Sequence, residues 1–225
     1  MPGLAIKTGM TAEDFAAKEV ASGDTVFLSG LMDVAALLAT VPSTVTGILS
    51  FGLCGGLALN LPVGSICVAS VLIDGNTLYR PNGLWTARLA NAVNVKPVPY
   101  FSTGQFDLAD TPQQRADLWN KYGCSAIDDE SAAVALFAKE RGIAFAIMRV
   151  VSDAWNDTVP LAVRQAVNPD GSANVNSIIA WLRDHPDQIG EQVKDLIKTA
   201  AEYNLALSAL LDAGKKAGEH FQWGV

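Results

Sequence analysis

Acidic side chains follow two apolar stretches of the chain, at points where each stretch is expected to leave a β-sheet. Residues 144–151 lead directly into Ser152 and Asp153, and the shorter stretch 125–127 leads into the acidic residues 128–130. Ligands of open α/β sheets bind at the carboxyl ends of the strands, so these two strand ends predict the functional site. The alternative is that the aspartates only cap helices, as aspartate often does.

A third acidic residue, Glu13, lies at the start of a predicted helix. Thr11, with Asp14 three residues later, is a variant of the capping box that places Glu13 in the first helical turn. The helix dipole and the free N–H groups there favour an ionised carboxylate, so we expect Glu13 to be negative near neutral pH and available as a base. The alternative is a surface glutamate that merely matches the dipole.

A glycine-rich segment, Gly52-Leu-Cys-Gly-Gly56, follows the predicted strand 45–50. Three glycines in five positions allow a loop to approach a ligand closely and to turn its backbone N–H groups outward. We therefore predict a ligand-binding loop here, with a simple tight turn as the alternative.

Apolar stretches and helical segments alternate through the first two thirds of the chain. The predicted strands are 4–7, 25–29, 45–50, 65–73, 95–101, 125–128 and 143–151, and the helices between them are 11–21, 33–40, 84–93, 111–122 and 130–141. Such alternation is typical of a mainly parallel sheet with helices outside it. Beyond Asp153 we predict only helices, near 174–183 and 187–216, and the second carries an apolar stripe expected to pack on the sheet.

Composition indicates a single globular domain over residues 1–225. Half of the 225 residues are hydrophobic and 17% are charged, which is far from the profile of a disordered chain. The formal net charge of −7 and the lack of a basic cluster argue against nucleic-acid binding.

The remaining features favour a cytoplasmic protein without a metal centre. The three cysteines lack C-x-x-C spacing, and the two histidines, His185 and His220, have no metal-ligand neighbours in sequence. The N-terminus lacks the pattern of a signal peptide. Residues 34–73 hold no charged side chain, but glycine and proline divide this stretch into pieces too short to span a membrane.

Glu13, Glu130 and Asp153 are thus predicted to meet at one edge of the sheet from distant points of the chain. Cleavage of a glycosidic bond through an oxocarbenium-like transition state needs such a set. One carboxyl protonates the leaving group, another acts on the nucleophile, and a third accepts hydrogen bonds from the sugar hydroxyls.

A competing interpretation uses Cys54 as a nucleophile. The segment 52–56 matches the G-x-nucleophile-x-G elbow of α/β-hydrolases, and Asp153 and His185 or His220 follow in the right order. The elbow must turn directly into a helix, whereas residues 57–64 are too interrupted for one. This alternative is therefore the weaker one.

Three motifs resemble, in order and spacing, the signatures of the nucleoside phosphorylase and nucleosidase superfamily. They are Gly55-Gly-Leu with Pro62-Val-Gly-Ser, Ile127-Asp-Asp-Glu-Ser-Ala-Ala-Val134 and Met148-Arg-Val-Val-Ser-Asp153. The resemblance implies one three-layer α/β/α domain around a twisted, mixed and mainly parallel sheet. It also implies an enzyme that removes a purine base from a nucleoside as a homodimer or larger homo-oligomer, without a cofactor.

The resemblance also implies roles for individual residues. Asp153 matches the aspartate that donates a proton to purine N7, with Ser152 beside it at the base, and Glu130 matches the glutamate that binds ribose hydroxyls. Glu13 is similar to the nucleosidase glutamate that activates the attacking water. The segment Gly52 to Gly56 would lie at the ribose and at the phosphate or other nucleophile.

Two departures from the family pattern bear on the chemistry. Asp129 stands at the ribose where the family usually has methionine, so a charge replaces a packing contact. Leu53 replaces a small or hydroxyl residue, and no set of phosphate-binding arginines is evident. Hydrolysis and glycosyl transfer to phosphate, with phosphate as co-substrate, therefore remain alternatives. A nucleoside-binding protein in which Asp129 has abolished catalysis is a third.

A finer resemblance points to one branch of the superfamily. Ser50-Phe-Gly-Leu-Cys-Gly-Gly-Leu57, Asn168-Pro-Asp-Gly and the segment Trp181 to Gly190 are similar to the hopanoid-associated phosphorylases. That branch implies release of adenine from adenosylhopane in hopanoid biosynthesis. A lipid-linked substrate of this kind implies peripheral contact with a membrane.

Overall fold

An eight-stranded mixed β-sheet forms the centre of the protein. The structure, a computed structural model, describes residues 3–21, 23, 25–31, 33–103, 109–164, 168 and 174–221. The strands are β1 (Gly3–Thr8), β2 (Thr25–Ser29), β3 (Val45–Gly56), β4 (Ile66–Asp74), β5 (Thr77–Tyr79), β6 (Val98–Ser102), β7 (Ala126–Asp128) and β8 (Ala144–Asp153). Seven of them follow one another across the sheet in the order β2-β1-β3-β7-β6-β4-β5.

β8 closes part of this sheet into a ring. It pairs in parallel with β3 and antiparallel with β4, so β3, β7, β6, β4 and β8 form a closed circuit. At the carboxyl end of β3, Gly55 is in register with Asp153 of β8 on one side and with Ile127 of β7 on the other. The two strand ends that carry acidic residues therefore flank the same point of β3.

Helices cover both faces of the sheet. They are α1 (Thr11–Val20), α2 (Val34–Ala39), α3 (Gly83–Ala92), α4 (Pro112–Tyr122), α5 (Ser131–Arg141), α6 (Leu161–Arg164), α7 (Val175–Asp184) and α8 (Ile189–Ala217), with 3₁₀ turns at Pro186–Gln188 and Gly218–Phe221. Side chains alternate along β3 and β8 between a core shared with α1, α3 and α8 and a core shared with α2 and α5. The predicted α/β class with a mixed sheet between helical layers is confirmed.

Local signals fix several helix ends where they were expected. At the start of α4, Thr111 Oγ1 accepts from the Gln114 N–H at 3.3 Å, and the Gln114 side chain accepts from the Thr111 N–H at 2.9 Å. This reciprocal capping box, with Pro112 at the first helical position, holds the first turn of α4 in place. α5 ends at Gly142, whose φ of 65° is a left-handed conformation that glycine adopts without strain.

The glycine-rich segment is not a loop, contrary to the prediction. β3 continues to Gly56, and the side chains of Leu53 and Cys54 are buried in the cores on opposite faces of the sheet. Glycine is normally depleted in strands, which is why the sequence favoured a loop. Here the missing side chains make room for neighbouring carboxyl groups.

The apolar stripe of α8 is only partly buried. Its C-terminal half packs through Ala206, Leu210 and Ala213, whereas Ile189 and Val193 remain 41% and 37% exposed. The prediction that the whole stripe packs on the sheet is therefore wrong for the first half of the helix. Within the described residues, none of the helices combines the length and the apolarity needed to cross a bilayer.

Candidate active site

A cavity of about 230 Å³ lies at the carboxyl ends of β3, β7 and β8. Most of the residues predicted for the site contribute to its wall: Glu13, Leu53, Cys54, Gly55, Asp129, Glu130, Ser152 and Asp153. Gly52 and Gly56 do not line it. The three predicted carboxyl groups, those of Glu13, Glu130 and Asp153, therefore line the same cavity.

Glu13 is held by backbone amides from two separate segments. Its Oε2 accepts from the N–H groups of Gly9 at 2.8 Å and Met10 at 3.1 Å, and its Oε1 accepts from the Leu53 N–H at 3.0 Å. Met10, rather than Thr11, is the cap residue of α1. The Leu53 amide, expected to face a ligand, is thus already bound by a side chain.

The ionisation of Glu13 differs from the prediction. Burial, reinforced by the negative charge of Glu130, raises the pKa of the Glu13 carboxyl from 4.5 to about 7. Arg149 and the backbone amides lower this pKa but do not offset burial. Glu13 is therefore poised near neutral pH, where a general base is most effective, instead of being firmly ionised.

Two glycines make room for the glutamates. A Cβ atom placed on Gly52 would overlap Glu13 Oε2 and would come within 2.8 Å of its Cδ. One placed on Gly9 would overlap Glu130 Oε1 and would come within 2.9 Å of Leu31. The backbone thus approaches both carboxyl groups more closely than any residue with a side chain allows.

A Gly52→Ala substitution is expected to reduce turnover by about tenfold to a hundredfold while the fold is retained. The added methyl group displaces the Glu13 carboxyl, and displacements of about 1 Å have effects of this size. Steady-state kinetics of base release, with circular dichroism to check folding, would measure it. Gly83→Ala is the matched control, because a Cβ there meets nothing within 4 Å. Equal rates for both variants would contradict the role given to Gly52.

Glu130 belongs to a buried charge network centred on Arg149. The guanidinium forms ion pairs with Glu130 and, at 2.8 Å, with Asp128, and its Nη2 donates to Ser50 Oγ at 2.9 Å. Burial alone would raise the pKa of Asp128, but Arg149 and hydrogen bonds from Ser131 lower it below its usual value. Glu130 is thereby fixed at the cavity wall by a charge-assisted contact.

Asp129 lies between Asp128 and Glu130 in the sequence and also lines the cavity. Burial, together with the charges of Asp128 and Glu130, raises the pKa of the Asp129 carboxyl to about 8. A carboxyl of this kind is protonated at neutral pH and can donate a hydrogen bond to a ligand oxygen.

Asp153 ends β8 with both carboxylate oxygens bound. Oδ1 accepts from Ser152 Oγ at 2.6 Å, and Oδ2 pairs with Arg115 of α4. Ser152 Oγ is also 3.3 Å from the Cys54 carbonyl oxygen, which links the end of β8 to β3. The predicted base-binding pair, Ser152 and Asp153, therefore acts as one unit with its orientation fixed.

Several residues of the site were missed at the level of the sequence. Arg115 was assigned only to a helix and Lys7 only to a strand, and Ser50 and Gly9 were given no role of their own. Lys7 is fully buried beneath the glutamates, where its Nζ donates to the Gly30 carbonyl oxygen at 2.7 Å. Burial lowers the pKa of Lys7, while the charge of Glu130 opposes this shift. No periodicity or spacing marks Arg115 or Lys7 as a site residue.

The alternative that used Cys54 finds no support in the geometry. Cys54 lies inside β3 rather than at a strand-to-helix turn, and burial beside Cys67 raises the pKa of its thiol, which disfavours the thiolate. His185 stacks on Trp181 in α7, and neither histidine lines the cavity. Among the described residues, no group of three or more metal-binding side chains occurs.

A second cavity of about 360 Å³ adjoins the first. The two share Met10, Leu53, Ser152, Asp153 and Val159, and the second extends along α8 past Lys198, Glu202 and Tyr203. Lys198 pairs with Asp157 across this wall. The complete site is therefore elongated, with the carboxylate cluster at one end and a chamber of mixed polarity at the other.

A sequence model of the phosphorylase superfamily matches residues 28–180 of the chain. This range includes the glycine-rich segment, the 127–134 motif and the strand end at Asp153. The sequence matches no curated protein.

Solved structures with the same fold include a hydrolase and two nucleosidases. Futalosine hydrolase of Helicobacter pylori superposes with a TM-score of 0.59 at 15% identity, covering 87% of this chain and 97% of that one. The 5′-methylthioadenosine/S-adenosylhomocysteine nucleosidase of Neisseria meningitidis, in complex with methylthio-immucillin-A, gives 0.61 at 15% identity, covering 95% and 99%. The Helicobacter pylori enzyme of that name gives 0.59 at 14%, covering 83% and 98%. At these identities the likeness concerns the fold.

Proposed function

The chain belongs to the phosphorylase superfamily and is an enzyme of that family, and we propose that it hydrolyses the N-glycosidic bond of a purine nucleoside. The observation that carries this proposal is the convergence of Glu13, Glu130 and Asp153 on one cavity. Each carboxyl group sits in a different environment, which suits three different tasks.

The proposed mechanism divides the work among the three carboxyl groups. In its protonated form, Asp153 donates its proton to purine N7, and the C1′–N9 bond breaks with its electron pair going to the base. Glu13 accepts a proton from the water that attacks C1′, and Glu130 accepts hydrogen bonds from the ribose hydroxyls. The products are the free base and the free sugar.

Water, rather than phosphate, is the proposed nucleophile. A phosphate dianion would need free backbone amides or cations, yet Glu13 already occupies the amides of Gly9, Met10 and Leu53. The arginines in the wall, Arg115 and Arg149, are both bound to carboxylates. The site therefore repels a second anion and suits a neutral nucleophile that Glu13 can deprotonate.

The second cavity supports a substrate with a substituent on the ribose 5′ side. The first cavity is small for a nucleoside with a large substituent, whereas ligand sites commonly reach 300–1,000 Å³. The resemblance to hopanoid-associated phosphorylases makes adenine the proposed base and adenosylhopane the first substituted adenosine to test. Apolar residues such as Met10 and Val163 suit a hydrocarbon, while Lys198 and Glu202 suit a polar group.

A base-release assay with and without phosphate tests the proposed function. Purified protein is incubated with adenosine, inosine, 5′-methylthioadenosine and adenosylhopane, and free base is quantified by chromatography. We expect release that is independent of phosphate and faster for a 5′-substituted nucleoside than for its parent. Strict dependence on phosphate would establish phosphorolysis instead, and no release from any substrate would refute the proposal.

A nucleoside-binding protein without turnover is the second candidate. It is favoured by Asp129, whose carboxyl faces the cavity beside the predicted ribose ligand Glu130. Isothermal titration that shows purine binding, combined with no release of base in the assay above, would select this alternative.

A further inference from the structure

Arg115 connects α4 to the ends of two strands beneath the cavity. The arginine is only 1% exposed, and its Nη1 donates to the carbonyl oxygens of Gly56 at 3.2 Å, Asp153 at 3.0 Å and Ala154 at 3.1 Å. Its Nη2 pairs with Asp153 Oδ2. One side chain therefore fixes both the backbone and the carboxyl group of Asp153.

The hydrogen bonding of Arg115 is incomplete. Its Nε–H is buried and has no partner among the described residues. A buried donor without a partner is unfavourable, and such exceptions occur at functional sites more often than in ordinary cores. The guanidinium is therefore placed for its contacts with Asp153, and one of its own N–H donors is left without a hydrogen bond.

We propose that Arg115 is a positioning residue that fixes the Asp153 carboxyl group and stabilises the carboxylate formed when the proton moves to the purine base. This inference rests on the proposed function. During the step, the O–H bond of Asp153 breaks and an N7–H bond forms, so a negative charge appears on Asp153 next to the guanidinium. With Oδ2 bound to Arg115, Oδ1, whose partner in the structure is Ser152 Oγ at 2.6 Å, is the oxygen that carries the proton to the base.

Among the described residues, Arg115 is the cation that forms an ion pair with Asp153, and the neighbouring charged groups do not replace it. Burial raises the pKa of the Glu202 carboxyl in α8, and the charges of Asp157 and, more weakly, Asp153 act in the same direction, so Glu202 and Asp153 are close enough to interact. Lys198 is paired with Asp157, and Arg149 is paired with Glu130 and Asp128. Removal of Arg115 therefore leaves the developing charge on Asp153 in an acidic surrounding.

The test compares a purine nucleoside with its N7-methylated counterpart in an Arg115→Met variant. The methylated base carries a permanent positive charge and leaves without being protonated. We expect Arg115→Met to lower kcat for the unmodified nucleoside by about tenfold to a hundredfold, part of the effect of a positioned acid, with little change in KM. The rate for the N7-methylated nucleoside should stay within about threefold of wild type, and Arg115→Lys should restore part of the loss.

Controls separate this role from a purely structural one. Arg141 also donates to carbonyl oxygens, those of Val41 and Pro42, from the end of α5 outside the cavity, so Arg141→Met is the matched variant. A double variant with Asp153→Asn should lose little more than Asp153→Asn alone, because the two residues act together. Equal losses on both nucleosides would overturn the assignment of Arg115 but not the proposed function. Absence of turnover of either nucleoside by the wild-type protein would overturn both.

Discussion

Replacement of Asp153 by asparagine is expected to slow base release by roughly 10²- to 10⁴-fold, the range for a positioned general acid. Asparagine has nearly the same shape and can still accept a hydrogen bond from Arg115, but it has no acidic proton for purine N7. Binding should change less than kcat, because the proton transfer belongs to the transition state. Single-turnover measurement of base release would give the rate of the chemical step directly.

Asp74→Asn is a suitable control for this variant. Asp74 ends β4 at a hairpin and lines neither of the two cavities, and its substitution removes the same charge from the chain. Its rate should equal that of the wild-type protein. If Asp153→Asn also kept the wild-type rate, Asp153 would have no part in the reaction.

A Glu13→Gln variant is expected to lose a similar factor, roughly 10²- to 10⁴-fold, because no base remains to accept the proton of water. The wild-type protein should show a matching pH dependence. Glu13 accepts a proton only when ionised, and its pKa is about 7, so kcat/KM should fall as the pH decreases below this value. The acidic limb of the pH profile should be absent from the residual activity of the variant.

The same substitution should change how stability depends on pH. The pKa of Glu13 is raised from 4.5 to about 7 on folding, so the folded protein binds this proton more tightly than the unfolded chain does. The stabilising contribution is complete below pH 4.5 and is lost as the pH rises through about 7. Relative to wild type, Glu13→Gln should therefore gain on the order of 3 kcal/mol in free energy of unfolding between pH 4.5 and pH 8. Urea titrations at the two pH values would measure it.

Asp14→Asn provides the control for both measurements on Glu13. Asp14 neighbours Glu13 on α1, but its side chain pairs with Lys18 rather than facing the cavity. Its substitution should leave the rate and the pH profile unchanged. If the free energy of unfolding of Glu13→Gln depended on pH in the same way as that of Asp14→Asn, the pKa of Glu13 would not be raised on folding.

The position of the site could be predicted because strand ends are visible in the sequence. An apolar run followed by acidic residues, as at Asp153 and Glu130, marks the place where a strand leaves the sheet. The two strand ends meet because β7 and β8 flank the same residue of β3, Gly55, although β7 is antiparallel to β3 and β8 is parallel to it. The capping pattern around Glu13 likewise placed that residue at the start of a helix. These signals are local, so they are readable without coordinates.

Features that depend on contacts between distant segments could not be predicted. Nothing in its own helix distinguishes Arg115 from a solvated arginine, since its partners lie on β3 and β8. The raised pKa of Glu13 has the same origin, because burial by surrounding elements outweighs the helix dipole that its sequence position suggests. The glycines of β3 were misread because glycine usually interrupts strands, whereas here it leaves space for Glu13.

The three amides that hold Glu13 belong to two stretches of chain, one before α1 and one inside β3. α1 packs against α8, where the Gly214 backbone lies so close to Val20 that no larger residue fits at position 214. Any shift of α1 relative to α8 would therefore move the Glu13 carboxyl group away from the attacking water even while the central sheet stays intact.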